Sequence, residues 1–155
     1  EIKNNVERIS MFPVTLMKLS SELKAEDFGY KYRPGSWNIA QIFHHIADSH
    51  INAYIRLKFA LTEHNPTIMP YNEDLWAAMP DAVSADDIHV SVLIVSGIHH
   101  RISKLLHTLD EAAFSKTYFH PAYQKTFTLA QMVALYAWHG DHHVAQIKVA
   151  LEKKF

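Results

Sequence analysis

Apolar and polar positions alternate along this chain with a helical period over four long stretches. In the first, Val6, Ile9, Phe12, Leu16, Leu19 and Leu23 recur every three to four residues, the spacing that puts side chains on one face of a helix. Pro13 lies inside this stretch, and a proline there predicts a single helix over Ile2–Leu23 interrupted at that point. The second stretch opens at Asn38, with Ile39, Ile42, Phe43, Ile46, Ala47, Ala53, Tyr54, Leu57, Ala60 and Leu61 in phase. It ends near Glu63, ahead of Asn65-Pro66, because the residue before proline disfavours helix. The third runs from Ser84 through Ile88, Leu93, Val95, Ile98, Ile102, Leu105, Leu106 and Leu109. The fourth runs from Thr128 through Leu129, Met132, Val133, Leu135, Tyr136, Ala137, Ile147, Val149 and Leu151. Each of the last three would be roughly 25 residues, about 37 Å long at 1.5 Å per residue.

These three share a start signal. Asn38 is followed three residues later by Gln41, Thr128 by Gln131 and Ser84 by Asp87. Each pair fits a capping box, in which the first side chain accepts from the N–H three residues on and the second reaches back. Trp37 with Ile42, Phe127 with Met132 and Val83 with Ile88 would add hydrophobic staples. Between the stretches lie Lys24–Ser36, Asn65–Val83 and Asp110–Phe127. The middle one carries a short helix near Glu73–Ala78 and is too apolar to be disordered, so it is expected to pack over something. No repeat, linker or low-complexity tract divides the chain. Its 155 residues therefore predict one all-α domain over 1–155, built as a four-helix bundle.

Composition narrows the functions. Fifteen Lys+Arg against sixteen Asp+Glu give a net charge of −1, without the basic excess that draws nucleic acid. No apolar run reaches the ~18 residues of a membrane span. With no Cys and only four Gly, disulfides, thiolate ligands, a cysteine nucleophile and a glycine-rich phosphate loop drop out. No secretory signal is present, and since the chain begins at Glu1 rather than Met, its start says little about targeting.

Histidine is the abnormal count, at twelve, and it is the commonest metal ligand. Only His139 and His143 stand at i,i+4, where two rings can meet one ion. His142 is the rival, at i+3 from His139. A third ligand is expected from another helix. His45, seven residues past the Asn38 cap, heads a polar stripe of Asp48, Ser49, Asn52 and Arg56. Three His with a fourth position open is the pattern of a catalytic rather than a structural zinc site. Weighed alone, the pair His139/His143 is as readily an accident of spacing as a site. For His44, His50, His64, His89, His99, His100, His107 and His120 the ordinary expectation is a hydrogen-bonded core or surface residue. Tyr54, Phe59, Tyr136 and Trp138 read as core, Tyr71 and Trp76 as a packing lid, and Arg56 as a solvated or salt-bridged cation before a substrate clamp.

The blocks Trp37-Asn38-Ile39-Ala40-Gln41-Ile42-Phe43-His44-His45-Ile46-Ala47-Asp48-Ser49-His50, Arg56-Leu57-Lys58, Pro70-Tyr71-Asn72-Glu73 and Tyr136-Ala137-Trp138-His139-Gly140-Asp141-His142-His143 resemble the DinB-like superfamily. Within it they look closest to the YfiT branch, described as metal-dependent hydrolases and as bacillithiol transferases. The likeness runs from Tyr32 to Ile147. It implies an up-down-down-up four-helix bundle with metal ligands at His45, His139 and His143. It also implies one divalent transition metal per chain, with zinc or nickel expected, and a low-molecular-weight thiol as cosubstrate for a small electrophile. On this reading Asn52 and Arg56 are the candidate substrate-binding residues, and the expectation is a cytoplasmic homodimer with no nucleic-acid or membrane partner. Water-driven hydrolysis at the metal, and a non-catalytic metal- or ligand-binding bundle, are the alternatives. Gln146 departs from the branch, which often has His there; the ligand set is unaffected.

Overall fold

A computed structural model describes all 155 residues. In chain order it contains α1 (Ile2–Glu22), a 3-10 turn (Ala25–Gly29), α2 (Ile39–Thr62), α3 (Glu73–Ala77), α4 (Pro80–Val83), α5 (Ile88–Leu106), α6 (Glu111–Phe114), β1 (Thr117–His120), β2 (Lys125–Thr128) and α7 (Leu129–Lys153). Helices α1, α2, α5 and α7 form the four-helix bundle. Both α1 and α2 pack against α5 and α7. No helix is long and apolar enough to cross a membrane.

Contacts across the bundle fix the helix directions. His44 meets Ser91 and His50 meets His99, so α2 and α5 run side by side in the same direction. Ser10 meets Ser103 while Glu7 meets His107, so α1 opposes α5. His45 meets His139, and Arg56 meets Tyr136, so α2 opposes α7. The order is up-down-down-up. Parallel neighbours oblige the chain to travel back along the bundle, about 36 Å for a helix of this length. Residues 63–87, with α3 and α4, make that return, which is why the middle connection is long.

Two of the three expected caps form. Asn38 Oδ1 accepts from the Gln41 N–H at 2.8 Å and Gln41 Oε1 accepts from the Asn38 N–H at 3.1 Å. Thr128 and Gln131 do the same at 3.1 and 2.9 Å. The box at Ser84 does not form. Pro80 starts the separate helix α4, Ser84 follows its end, and α5 begins at Ile88 after Asp87. Ser84 Oγ instead accepts from the Asp86 N–H at 3.1 Å in a local turn, and its carbonyl accepts from His44.

Helix α1 is continuous through Pro13 rather than interrupted. Proline has no N–H, so the carbonyl of Ile9, four residues back, lacks its usual intrahelical donor. The segment read as a loop over 110–127 holds α6 and the hairpin β1–β2, with Thr117 opposite Thr128 and His120 opposite Lys125. Phe59 and Trp138, expected in the core, are each 52% exposed, whereas Tyr136 is buried.

The core is in two parts. Val6, Ile9, Leu57, Ile102, Leu106, Met132 and Val133 belong to one apolar cluster, at the end of the bundle where α1 begins. Phe12, Leu16, Ile39, Phe43, Val95, Val144 and Ile147 belong to the other. Between them lies a polar layer containing His50, His99 and His139. Gly140 lets α1 approach α7 there: a Cβ at this position would stand 2.7 Å from the Phe12 ring.

Candidate metal centre

The caps of α2 and α7 set where each helix starts, and the antiparallel packing brings position 45 opposite 139 and 143. His45 Nε2 lies 3.2 Å from His139 Nε2, and His143 Nε2 lies 3.1 Å from the same atom. One ligand atom from each residue falls within 4.8 Å of the others. Metal–imidazole bonds of 2.0–2.1 Å place neighbouring nitrogens ~2.9 Å apart at 90° and ~3.3 Å apart at the tetrahedral angle. The observed spacings lie between these, so the donor set fits a divalent transition ion.

Electrostatics agree with the geometry. Burial, with the His143 ring beside it, lowers His45 to about 3. Burial and the neighbouring His143, His45 and His142 lower His139 to about 2. His143 is lowered to about 4, chiefly by burial. All three rings are thus neutral near pH 7, as metal ligation requires. Gln146 Oε1 lies 2.8 Å from His143 Nδ1 and accepts its proton, which leaves the lone pair on Nε2. The residue that departs from the branch pattern therefore orients a candidate ligand. His139 Nδ1 lies 3.0 Å from His50 Nε2, and the Trp37 ring covers His45 with centroids 4.6 Å apart.

The other candidates separate cleanly. His142 stacks on Trp138 with centroids 4.6 Å apart and is not part of the cluster. Asp141 pairs with Arg8 on the outside of the bundle. Asp48 lines a separate groove with His44, Asp81 and Asp87. The Asn52 amide donates to the Asp48 carbonyl of its own helix at 2.9 Å. Arg56 reaches across to Tyr136, donating to its hydroxyl at 3.3 Å, and to the Met69 carbonyl at 3.1 Å. Tyr71 and Trp76 stack with centroids 4.4 Å apart. Arg56 Nε, the Tyr71 hydroxyl and His120 Nδ1 are buried without a hydrogen-bond partner.

His50 and His99 fit the ordinary reading of hydrogen-bonded core residues, yet they connect directly to the cluster. The signal was in the periodicity. His50 shares its stripe with Ile46, Ala53 and Leu57, and His99 shares its own with Val95, Ile102 and Leu106; all are buried. A histidine in phase with a core stripe must find partners inside.

The sequence profile of the DinB superfamily matches residues 12–147. A protein of Bacillus mycoides (strain KBAB4) named "Putative metal-dependent hydrolase" is 40% identical over 148 residues, covering 96% of this chain and 84% of that one. A Bacillus cereus (strain 03BB102) protein of the same name is 42% identical over 142 residues, covering 92% and 80%. Among solved structures, YfiT from Bacillus subtilis, described as "a probable metal-dependent hydrolase with an unusual four-helix bundle topology", is 34% identical. It superposes with a TM-score of 0.92 over 96% of this chain and 84% of its own. A mycothiol-dependent maleylpyruvate isomerase shares the fold at 15% identity, with a TM-score of 0.62 over 95% of this chain and 60% of its own. With a profile match over most of its length and relatives at 40–42% identity, the chain belongs to the DinB superfamily.

Proposed function

We propose that the chain binds one divalent transition metal, zinc or nickel, through His45, His139 and His143 and uses it to transfer a low-molecular-weight thiol to a small electrophile. The observation that carries this reading is that His45 Nε2 and His143 Nε2 each lie within 3.2 Å of His139 Nε2 while no carboxylate joins the cluster. A divalent ion on three neutral ligands lowers the pKa of a thiol or a water in its open position. Hydrolytic sites ordinarily pair such a water with a carboxylate base. Here the nearest acids in sequence stand outside the cluster, Asp141 paired with Arg8 and Asp48 lining the groove beside α5, while Glu73 lies close enough to Arg56, Tyr71 and Tyr136 to act on them electrostatically. A thiol needs no such base once its proton is lost, and the chain has no Cys of its own, so the thiol would come from a small molecule. The shared fold of a mycothiol-dependent isomerase supports the same direction.

The chain's own residues would bind and orient. Arg56 is tethered by Met69 and Tyr136 with its Nε buried and free, and it would hold a carboxylate of the thiol or electrophile. The Tyr71 hydroxyl, buried without a partner, would add a second donor, and the Tyr71–Trp76 pair would cover the bound molecule. Asn52 would contribute only by turning from its own helix.

The names of the bacillus relatives favour a second reading, hydrolysis. Metal-loaded protein assayed on a model electrophile with bacillithiol, glutathione and a no-thiol control separates the two. Thiol-dependent product that vanishes in His139→Ala supports the transferase. Thiol-independent cleavage of esters or amides that vanishes in the same variant establishes the hydrolase.

A further inference from the structure

Beyond the three candidate ligands, a row of buried imidazoles runs from one of them to the backbone of α1. His139 Nδ1 lies 3.0 Å from His50 Nε2. His50 Nδ1 lies 2.5 Å from His99 Nε2. His99 Nδ1 lies 2.8 Å from the Ile9 carbonyl oxygen. His50 and His99 are each 1% exposed, and the Phe12 ring flanks both, with centroids 5.5 and 5.3 Å away.

The far end of the row dictates the rest. A carbonyl oxygen only accepts, so His99 Nδ1 carries the proton and donates to Ile9. A neutral imidazole has one donor and one acceptor, and both rings are shut away from water, where the charged form is disfavoured. His99 Nε2 is then the acceptor, and His50 Nδ1 donates to it. His50 Nε2 becomes an acceptor in turn, and His139 Nδ1 donates to that. The lone pair of His139 is left on Nε2, the atom facing His45 and His143. The reverse direction would press the lone pair of His99 Nδ1 against that of the Ile9 oxygen at 2.8 Å. Pro13 explains why this carbonyl takes a side-chain donor: its ring nitrogen has no hydrogen to give one turn later. A carbonyl also cannot pass a proton onward, so the row sets protonation and orientation rather than conducting protons out.

We propose that Pro13, His99 and His50 are positioning residues that fix His139 in the tautomer presenting Nε2 to a divalent cation, with the Ile9 carbonyl as the anchor. This rests on the metal-binding reading above. Partners of this kind raise ligand basicity and hold the ring, and their loss typically costs 10–100-fold in metal affinity.

The experiment has two arms. Two-bond 1H–15N correlation spectra of the metal-free wild-type protein should show His50, His99 and His139 all protonated on Nδ1. A proton on Nε2 of His50 or His139 would overturn the proposal. In the second arm, Ni2+ and Zn2+ are each titrated in competition with a chromophoric chelator. His50→Leu should weaken both ions 10–100-fold, and His99→Leu should weaken them in the same direction. His50→Gln, whose amide oxygen can accept from His139 Nδ1, should recover part of the loss. Leu variants with lowered Tm and wild-type affinity would show that the row only supports the core, and would overturn the proposal. A wild-type chain that takes up neither ion defeats the metal reading instead, and the spectra still decide the tautomers.

Discussion

Pro13 and His99 meet at one atom. The proline leaves the Ile9 carbonyl without a helical donor, and His99 Nδ1 fills that vacancy from α5 at 2.8 Å. An irregularity in one helix thus meets the need of a buried ring in another. Replacing Pro13 by Ala restores an N–H that competes for the same oxygen. Alanine is about 3 kcal/mol better than proline in a helix interior, although losing the buried ring offsets part of that. The expected outcome is a split: Tm rises while affinity for Ni2+ or Zn2+ falls. Equal or tighter metal binding in Pro13→Ala, by chelator competition, would contradict it.

The proposed ligand set predicts a sharp pattern in metal content. His45→Ala, His139→Ala and His143→Ala should each reduce bound metal to background by elemental analysis. His142→Ala should keep full stoichiometry, because its ring stacks on Trp138 instead of joining the cluster. Loss of metal in His142→Ala to the extent seen in His143→Ala would break the assignment.

Gln146 offers a graded test of the same centre. Its Oε1 accepts from His143 Nδ1 at 2.8 Å. Gln146→Leu should weaken metal binding about 10-fold, and Gln146→Glu should tighten it, since a carboxylate on the far nitrogen makes the ligand more basic. The order Glu, Gln, Leu in Kd is the expected result.

Acid should destabilise the metal-free protein. His45 is lowered to about 3, His139 to about 2 and His143 to about 4, against about 6.5 in the unfolded chain. Between those values the unfolded chain binds more protons than the native one, so protonation favours unfolding. The contribution of these rings is complete above about pH 6.5 and declines as pH falls toward 4 and below. Urea midpoints measured with chelator present should therefore change little from pH 7.5 to about 6.5 and drop from there to pH 5. At pH 7.5 the chelator alone should leave the helical signal intact, because both apolar clusters form without the ion.

Gly140→Ala probes the approach of α1 to α7. The new methyl would stand 2.7 Å from Phe12, a ring that flanks both His50 and His99. Overpacking of this kind costs about 1–3 kcal/mol, more than the ~1 kcal/mol that Ala gains over Gly in a helix. A lower Tm, with a measurable loss of metal affinity as Phe12 pushes on the imidazole row, is expected.

Much of this was legible in the residues. Periodicity located the four long helices, and the Asn38–Gln41 and Thr128–Gln131 pairs gave two starts correctly. The i,i+4 spacing singled out His139 and His143, the position of His45 seven residues past the Asn38 cap nominated the third ring, and the resemblance to known proteins pointed to the same three. Other features depended on tertiary context. Ser84 had the chemistry of a cap, but Pro80 opened a separate short helix that ends at it, and His44 claimed its carbonyl. The hairpin strands are four residues each, too short for alternation to stand out. Phe59 and Trp138 are of a residue type expected in the core, yet both turn outward because their positions fall off the buried stripe. His50 and His99 were visibly in phase with core residues, but nothing in a one-dimensional pattern tells which buried rings will touch.

The layer of imidazoles across the middle of the bundle has a consequence for the uniqueness of the fold. The apolar clusters on either side contain 15 and 14 buried residues, and greasy surfaces of that kind tolerate sliding. A slip of one long helix by a single turn, ~5.4 Å, would still bury oil against oil over most of its length. It would also strand His50, His99 or His139 opposite a side chain with nothing to give or accept, at about 1–3 kcal/mol for each orphaned group. The layer therefore acts as a vernier that reads alignment between helices and penalises every setting but one. Stripping it out for leucines would make a greasier bundle with several nearly equal alignments.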